Sequence, residues 1–167
     1  MPNWCDNSVT LYSKDKEKID ALDKVLTNAD DTSVFNHLFP RPADQEDNWY
    51  EWNCQNWGTK WDVTPIDWER YDDNKIWISF NSAWSPPISL YEYLSENGWN
   101  VEAYYHESGC AFCGKYTTED GDAFYEYDYT DRKSLEMIPE DIDNFTGLLD
   151  YHDSYKADGE FDEEKVD

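Results

Sequence analysis

The chain has 167 residues, enough for one domain with an extension and a sizeable core, and 17% are aromatic, which excludes a disordered composition. Its 38 acidic residues against 13 basic ones give a formal charge of −25. That balance disfavours direct binding to nucleic acid or an anionic membrane, because both rest on Lys and Arg meeting phosphates.

In chain order, Ser8 to Tyr12 alternates polar and apolar, with Val9 and Leu11 inward, and predicts a first strand. Ser13 is placed to cap a helix whose apolar face is Ile19, Leu22, Val25 and Leu26, ended by Asn28-Ala29-Asp30-Asp31. Ser33 starts a short helix or turn with Phe35, Leu38 and Phe39, stopped by Pro40 and Pro42. An irregular, Trp-rich insertion over 41–60 follows. A second strand over Trp61 to Glu69 is interrupted near Pro65, which puts it at a sheet edge. Asp72-Asp73-Asn74 supplies a turn into Lys75 to Ala83, where Ile76, Ile78 and Phe80 share one face. Ser85 as cap and Pro86 at the first helical position start a helix with the stripe Ile88, Tyr91 and Leu94, stopped at Asn97-Gly98. Trp99 to His106 is the next strand. The order strand, helix, strand, strand, helix, strand predicts an α+β, ferredoxin-like split βαβ fold: an antiparallel sheet with helices on one face.

Beyond this unit, a hairpin turned at Asp120-Gly121 and a helix from Pro139 are expected, the latter with stripe Ile142, Phe145, Leu148 and Leu149. The predicted organisation is a domain over 1–116, a hairpin and helix packed on it over 117–152, and an acidic tail over 153–167. The charge is uneven, since residues 119–167 hold 18 acidic and 4 basic residues. This reads either as a solvated acidic extension or as a surface for a basic partner. Met1-Pro2-Asn3-Trp4 lacks the regions of a signal peptide. With no apolar run near the ~18 residues of a membrane span, a cytoplasmic protein is expected, with Cys5, Cys54, Cys110 and Cys113 reduced.

Three constellations could carry chemistry. Seven of the nine tryptophans fall between residues 49 and 84, around Trp57-Gly58-Thr59-Lys60-Trp61-Asp62 and Ala83-Trp84-Ser85-Pro86-Pro87. Trp57, Lys60, Trp61, Asp62 and Trp84, joined by His106 and Glu107, could wall a small-ligand or nucleotide pocket. The same rings would equally serve to pack the insertion over the sheet. A His–Glu pair suits general acid–base work, whereas a single His at a strand end is also an ordinary structural residue. Cys110-Ala111-Phe112-Cys113, with Cys54, Cys5 and His106, offers zinc ligands, but a single C-x-x-C without a second pair reads as ordinary thiols, and no cofactor is expected. Finally, Tyr125, Tyr127 and Tyr129 alternate with Glu126 and Asp128, a row fit either for a basic protein partner or for a plain, charge-protected edge hairpin.

Met1-Pro2-Asn3-Trp4-Cys5-Asp6-Asn7, Phe39-Pro40-Arg41-Pro42, the two Trp motifs, and Tyr105-His106-Glu107-Ser108-Gly109 with Phe112-Cys113-Gly114 occur in that order. Over about residues 1–116 the chain resembles the YubB-type ferredoxin-like family of phage and plasmid proteins. The resemblance implies a ferredoxin-like fold and a mobile-element origin, and it implies no reaction. The functional expectation is a non-enzymatic, acidic interaction protein that binds a basic host or mobile-element protein. Its stronger form is inhibition of a nucleic-acid-binding host defence protein by DNA mimicry. The alternative is a small-ligand or nucleotide-processing protein using the Trp pocket.

Overall fold

In the computed structural model, residues 1–28 and 33–157 are described. Strands β1 (Trp4–Ser13), β2 (Asp67–Arg70), β3 (Lys75–Ala83), β4 (Trp99–Glu107), β5 (Phe112–Thr117) and β6 (Gly121–Glu126) form one sheet in the order β2-β3-β1-β4-β5-β6. Every neighbouring pair is antiparallel. The first four strands have the ferredoxin-like order, and the hairpin β5–β6 extends the same sheet beyond β4.

Period-2 alternation decides which side chains meet the helices. Val9, Leu11, Ile76, Ile78, Phe80, Val101 and Ala103 are buried on one face. Against them lie α1 (Lys16–Thr27) with Ile19, Leu22 and Leu26, and α4 (Ile88–Glu96) with Leu90, Tyr91 and Leu94. The cap of α1 is Asp15 rather than Ser13, because the Asp15 carboxylate accepts from the Glu17 amide at 2.9 Å while the Ser13 hydroxyl accepts from Asp15. Ser85 likewise does not cap α4; its hydroxyl donates to the Gly58 carbonyl at 2.7 Å, and Pro87 holds the cap position.

The insertion over 41–60 is more regular than its composition suggests. After α2 (Val34–Leu38) it forms a 3-10 turn over Ala43–Asn48 and then α3 (Trp49–Asn56). Side chains hold it down: Arg41 donates to the Asn53 side-chain oxygen at 3.0 Å, and the Asn53 amide donates to the Lys60 carbonyl at 2.8 Å. The second strand is shorter than expected, four residues instead of nine, but it does form a sheet edge.

Among the described residues, the other face of the sheet is covered on one side only. Helices α5 (Arg132–Glu136), α6 (Glu140–Thr146) and α7 (Leu148–Ala157) bring Leu135, Ile142 and Leu148 onto Cys113 and Tyr127, joined by Ile138 from the α5–α6 connection, with α6 against β4 and β5. The single helix expected from Pro139 is divided at Gly147, whose φ of +68° ends α6 in the left-handed conformation that favours glycine. Residues 153–157, expected in the acidic tail, belong to α7, where Asp153 pairs with Arg132 at 3.1 Å. The rest of that tail, 158–167, and the expected helix end at 29–31 lie outside the described residues.

Candidate functional site

The two Trp motifs do come together, and most of their side chains act as fasteners. Trp57 is buried, its indole N–H donating to the Phe39 carbonyl at 3.0 Å, with Phe35 and Trp52 edge-on to its ring. Gly58, at φ +87°, lets the chain pass so close to α4 that a Cβ there would lie 3.2 Å from the Ile88 nitrogen. Thr59 donates to the Ala83 carbonyl at 2.8 Å. The Asp62 carboxylate accepts from the amides of Phe35, Asn36 and Val63 at 2.7–2.9 Å, so it satisfies the open first turn of α2 from a distant part of the chain. What remains outside is a cluster of exposed rings. Trp61 lies 6.3 Å from Trp4, Lys60 sits over Trp61 and Tyr50, and Trp84 is half exposed. Trp84 holds φ at +70°, an uncommon conformation for a bulky residue.

His106 and Glu107 do not join these rings, and they do not face each other. As neighbours on β4 they point to opposite faces of the sheet. Glu107 is buried on the α1/α4 face, where its carboxylate accepts from the amides of Gly109 and Cys110 at 2.6 and 2.9 Å and shapes the turn into β5. His106 lies under the C-terminal helices and pairs across the sheet with Asp6 and Cys113. The expected pocket of Trp57, Lys60, Trp61, Asp62, Trp84, His106 and Glu107 is therefore not assembled.

The tyrosine row also faces inward. Tyr127 is buried, and Tyr125 and Tyr129 are half-buried against the C-terminal helices, so these rings anchor α5–α7 rather than lying bare for a partner. Glu126 stays exposed beside the outer edge of the sheet, and the Asp128 carboxylate closes a turn by accepting from the Thr130 amide and hydroxyl at 2.8 Å. Hydrogen bonds run in one direction through this region. Tyr129 donates to the Ser108 carbonyl at 2.6 Å, Tyr127 donates to Tyr129 at 3.2 Å, and the His106 Nε2 lies 2.6 Å from the Tyr127 oxygen. Because the Tyr127 proton is committed to Tyr129, Nε2 of His106 must be the donor, which fixes the Nε2–H tautomer. Burial lowers the His106 pKa below its ordinary 6.5, against smaller opposing effects of Asp6 and Glu107, so the ring is neutral near pH 7.

The thiols do not converge. Cys5 lies on the α1/α4 face, Cys113 under the C-terminal helices, and Cys54 and Cys110 are exposed at separate places. Burial pushes both Cys5 and Cys113 up to about 12, and the Glu107 carboxylate hydrogen-bonded beside Cys110 raises that thiol too. These three are therefore thiols rather than thiolates at neutral pH. Among the described residues, no group of three or more His, Cys, Asp or Glu is placed to hold a metal ion. No described helix is long and apolar enough to cross a membrane.

The distinctive surface is one that the motifs did not point to. Over β2, β3 and β1 no described element covers the sheet face opposite α1 and α4. Strand register aligns Glu69, Trp77, Thr10 and Glu102 in one row, Asp67, Ser79, Ser8 and Tyr104 in the next, and Asn81 with Asp6 in a third. Asp6, Asp67, Glu69 and Glu102 are exposed, and none forms an ion pair among the described residues. Trp77 floors the face and donates its indole N–H to the Ser8 hydroxyl at 2.8 Å. The lysines of this face are engaged: Lys75 lies over the Tyr71 ring, and Lys115 pairs with Asp141 at 2.8 Å. Trp4, on the same face of β1 as Asp6, joins the open face to the exposed ring cluster. The signal for it lay in the polar half of each alternation, Asp6-x-Ser8-x-Thr10 and Asp67-x-Glu69.

Residues 60–165 match the family described as the ferredoxin-like domain in Api92-like protein. The match runs through the acidic C-terminal third, which the motif resemblance did not cover, and the finer YubB-type label has no counterpart in it. Among solved structures, the chain is similar to the crystal structure of Api92 from Yersinia pseudotuberculosis. That similarity is at 10% identity and a TM-score of 0.45, covering 77% of this chain and 99% of that one. No curated protein matches the chain. With well over half of its length inside the family match, the chain belongs to the Api92-like family that carries this ferredoxin-like domain.

Proposed function

We propose that the protein is an acidic protein-interaction module that docks a basic partner on the open face of its sheet. The observation that carries this reading is the set of four exposed carboxylates, Asp6, Asp67, Glu69 and Glu102, around Trp77, without an ion pair among the described residues and with the nearby lysines already engaged. Open ferredoxin-like sheets offer a flat floor of alternating side chains to a ligand. Here the sign of the charge opposes a phosphate backbone and favours Lys and Arg. The overall charge of −25 would steer a basic partner at long range, and the exposed Trp4, Trp61 and Trp84 at one end would supply apolar area and ring faces for guanidinium groups. DNA mimicry is the stronger form of the same reading, in which the partner's nucleic-acid site is what the carboxylates occupy.

The test is capture by the tagged protein at low and high salt, after nuclease treatment, with two variants in parallel. One neutralises the face (Asp6→Asn, Asp67→Asn, Glu69→Gln, Glu102→Gln). The other neutralises four exposed acids elsewhere (Glu119→Gln, Asp120→Asn, Glu140→Gln, Asp150→Asn). A basic protein retained by wild type and the second variant, lost by the first, and released by salt supports the reading. Equal loss with both variants reduces it to general charge. Displacement of the captured protein by duplex DNA distinguishes mimicry from simple docking.

A further inference from the structure

Independently of the sheet face, we propose that the outer edge of β6 is a strand-addition site for an extended peptide segment that sets an apolar residue between two basic ones, in the pattern basic-x-apolar-x-basic. β6 is the last strand of the sheet and pairs with β5 in a register that runs without a bulge from Glu126 opposite Phe112 to Gly121 opposite Thr117. The Tyr127 amide donates to the Ala111 carbonyl at 3.0 Å, which fixes the phase of the ladder. Antiparallel strands exchange hydrogen bonds at every second residue, so Gly121, Ala123 and Tyr125 turn their backbone groups to β5, while Asp122, Phe124 and Glu126 turn theirs outward. All three outward residues are exposed, and among the described residues no hydrogen bond takes up their outward N–H and C=O groups. The opposite edge is managed differently: on β2 the Trp68 amide is taken by the Asp67 carboxylate at 2.8 Å, and Arg70 is drawn across to Asp20 and Asp23 of α1. Edge strands are commonly blunted by Pro, Lys or a bulge, and β6 has none of these.

In strand addition the main chain supplies affinity and alternate side chains supply specificity. Here the side chains choose the occupant. Phe124 is 51% exposed at the centre of the edge, its ring 5.2 Å from Phe112, which in turn lies 6.3 Å from Tyr105. An apolar residue opposite Phe124 would continue this line of rings. Asp122 and Glu126 stand two residues to either side, on the same face of the strand, with Asp122 held by the Tyr105 hydroxyl at 2.7 Å. Opposite charges across a strand pair attract and like charges repel, so the positions facing these two carboxylates call for Lys or Arg. The same rule argues against a second copy of this chain. A two-fold pairing centred on Phe124 would set Asp122 against Glu126 twice and join two chains of −25 each.

The test is an amide NMR titration of the isotopically labelled full chain with the peptide acetyl-Lys-Thr-Val-Thr-Lys-amide. With Val opposite Phe124, the Val nitrogen faces β6 and the Thr nitrogens face away. The expected result is saturable binding with the largest shifts, and slowed hydrogen exchange, at the amides of Asp122, Phe124 and Glu126. A peptide methylated on the Val nitrogen, and one with Glu in place of both Lys, should each bind at least about tenfold more weakly. Methylation of a Thr nitrogen should leave binding within about twofold of the parent. Phe124→Pro removes an outward N–H at a position that β5 does not use, so it should lose more binding than Phe124→Ala, which keeps that donor. Equal binding of the Val-methylated and Thr-methylated peptides overturns the proposal in favour of simple ionic contact, and no binding of the parent peptide overturns it outright. Shifts centred on Thr10 and Trp77 would place the peptide on the open sheet face instead. Concentration-dependent shifts at the three edge amides without peptide would make the occupant a second copy, and either result overturns the proposal.

Discussion

At His106 a neutral imidazole is held by a hydrogen bond in which it must donate, and that choice has a cost in acid. Its folded pKa lies below 6.5 because of burial, whereas the unfolded chain takes up the proton at the ordinary value. Just below pH 6.5 the unfolded state therefore binds more protons, so this contribution to stability is complete above that pH and is lost as pH falls through the folded pKa. Asp122 acts in the opposite sense, because desolvation beside Tyr105 raises its carboxyl, so it gains a proton more readily when folded. The His106 component is isolated by difference. Urea unfolding of wild type and His106→Gln between pH 7.5 and 5.5 should show a midpoint that falls with pH in the first and is flatter in the second. Parallel curves would mean that the imidazole is not held neutral. A second residue, Trp84, stands in the left-handed region with its ring half exposed. A non-glycine residue there costs roughly 1–2 kcal/mol, offset in part by the greater chain entropy of glycine. Trp84→Gly is thus expected to leave thermal stability unchanged or raise it by up to about 1 kcal/mol, while weakening capture of a basic partner. A clear loss of stability would show that the ring is a packing element and not a presented one.

Among the elements, the hairpin β5–β6 depends on one small residue. A Cβ on Gly114 would lie 2.2 Å from the Tyr105 hydroxyl and 2.4 Å from the Ala123 carbonyl, and that hydroxyl is fixed by donating to Asp122 at 2.7 Å. Gly114→Ala must therefore push the hairpin from β4 or break the Tyr105–Asp122 bond, at a cost of about 3 kcal/mol in chemical denaturation. A loss under about 1 kcal/mol would show that the edge strands are loosely seated. The fold was legible in the sequence wherever one face of an element is buried. Alternation in β1, β3 and β4 and the stripe of α1 identified inward residues, whereas the expected α4 stripe caught Tyr91 and Leu94 but named the half-buried Ile88 and left out the buried Leu90. Legibility failed where a long-range partner decided the outcome. Asp62 caps α2 across 27 positions of sequence, and Asn53 and Arg41 give regular form to an insertion whose own pattern shows little amphipathicity. The Trp pocket failed for a related reason. Neighbouring His106 and Glu107 looked like a pair in sequence, but a strand sends consecutive side chains to opposite faces. The tyrosines at 125, 127 and 129 were correctly placed on one face, yet that face is the one that α5–α7 cover, which no local pattern announces.

For the molecule as a whole, a charge of −25 on 167 residues is a standing source of self-repulsion, and the fold relieves only a little of it. Arg70 gathers Asp20, Asp23 and Asp73, Lys115 holds Asp141, and Arg132 bridges Glu136 and Asp153. The four carboxylates of the open sheet face have no such counter-charge among the described residues. Solubility alone would not require their alignment by register on one flat face. Their repulsion is screened by salt over about 8–10 Å at ordinary ionic strength. The melting temperature should therefore rise between 10 and 300 mM NaCl, opposite to the loss expected where surface ion pairs dominate. Neutralising Asp6, Asp67, Glu69 and Glu102 together should reproduce part of that rise at low salt and reduce its salt dependence, while removing the docking of a basic partner. A surface that costs stability when free and is needed for binding marks a site retained for function. If the neutralised protein instead melts lower, the carboxylates are contributing to the fold through water or the rows beside them, and the open face is then a structural surface and not a docking one.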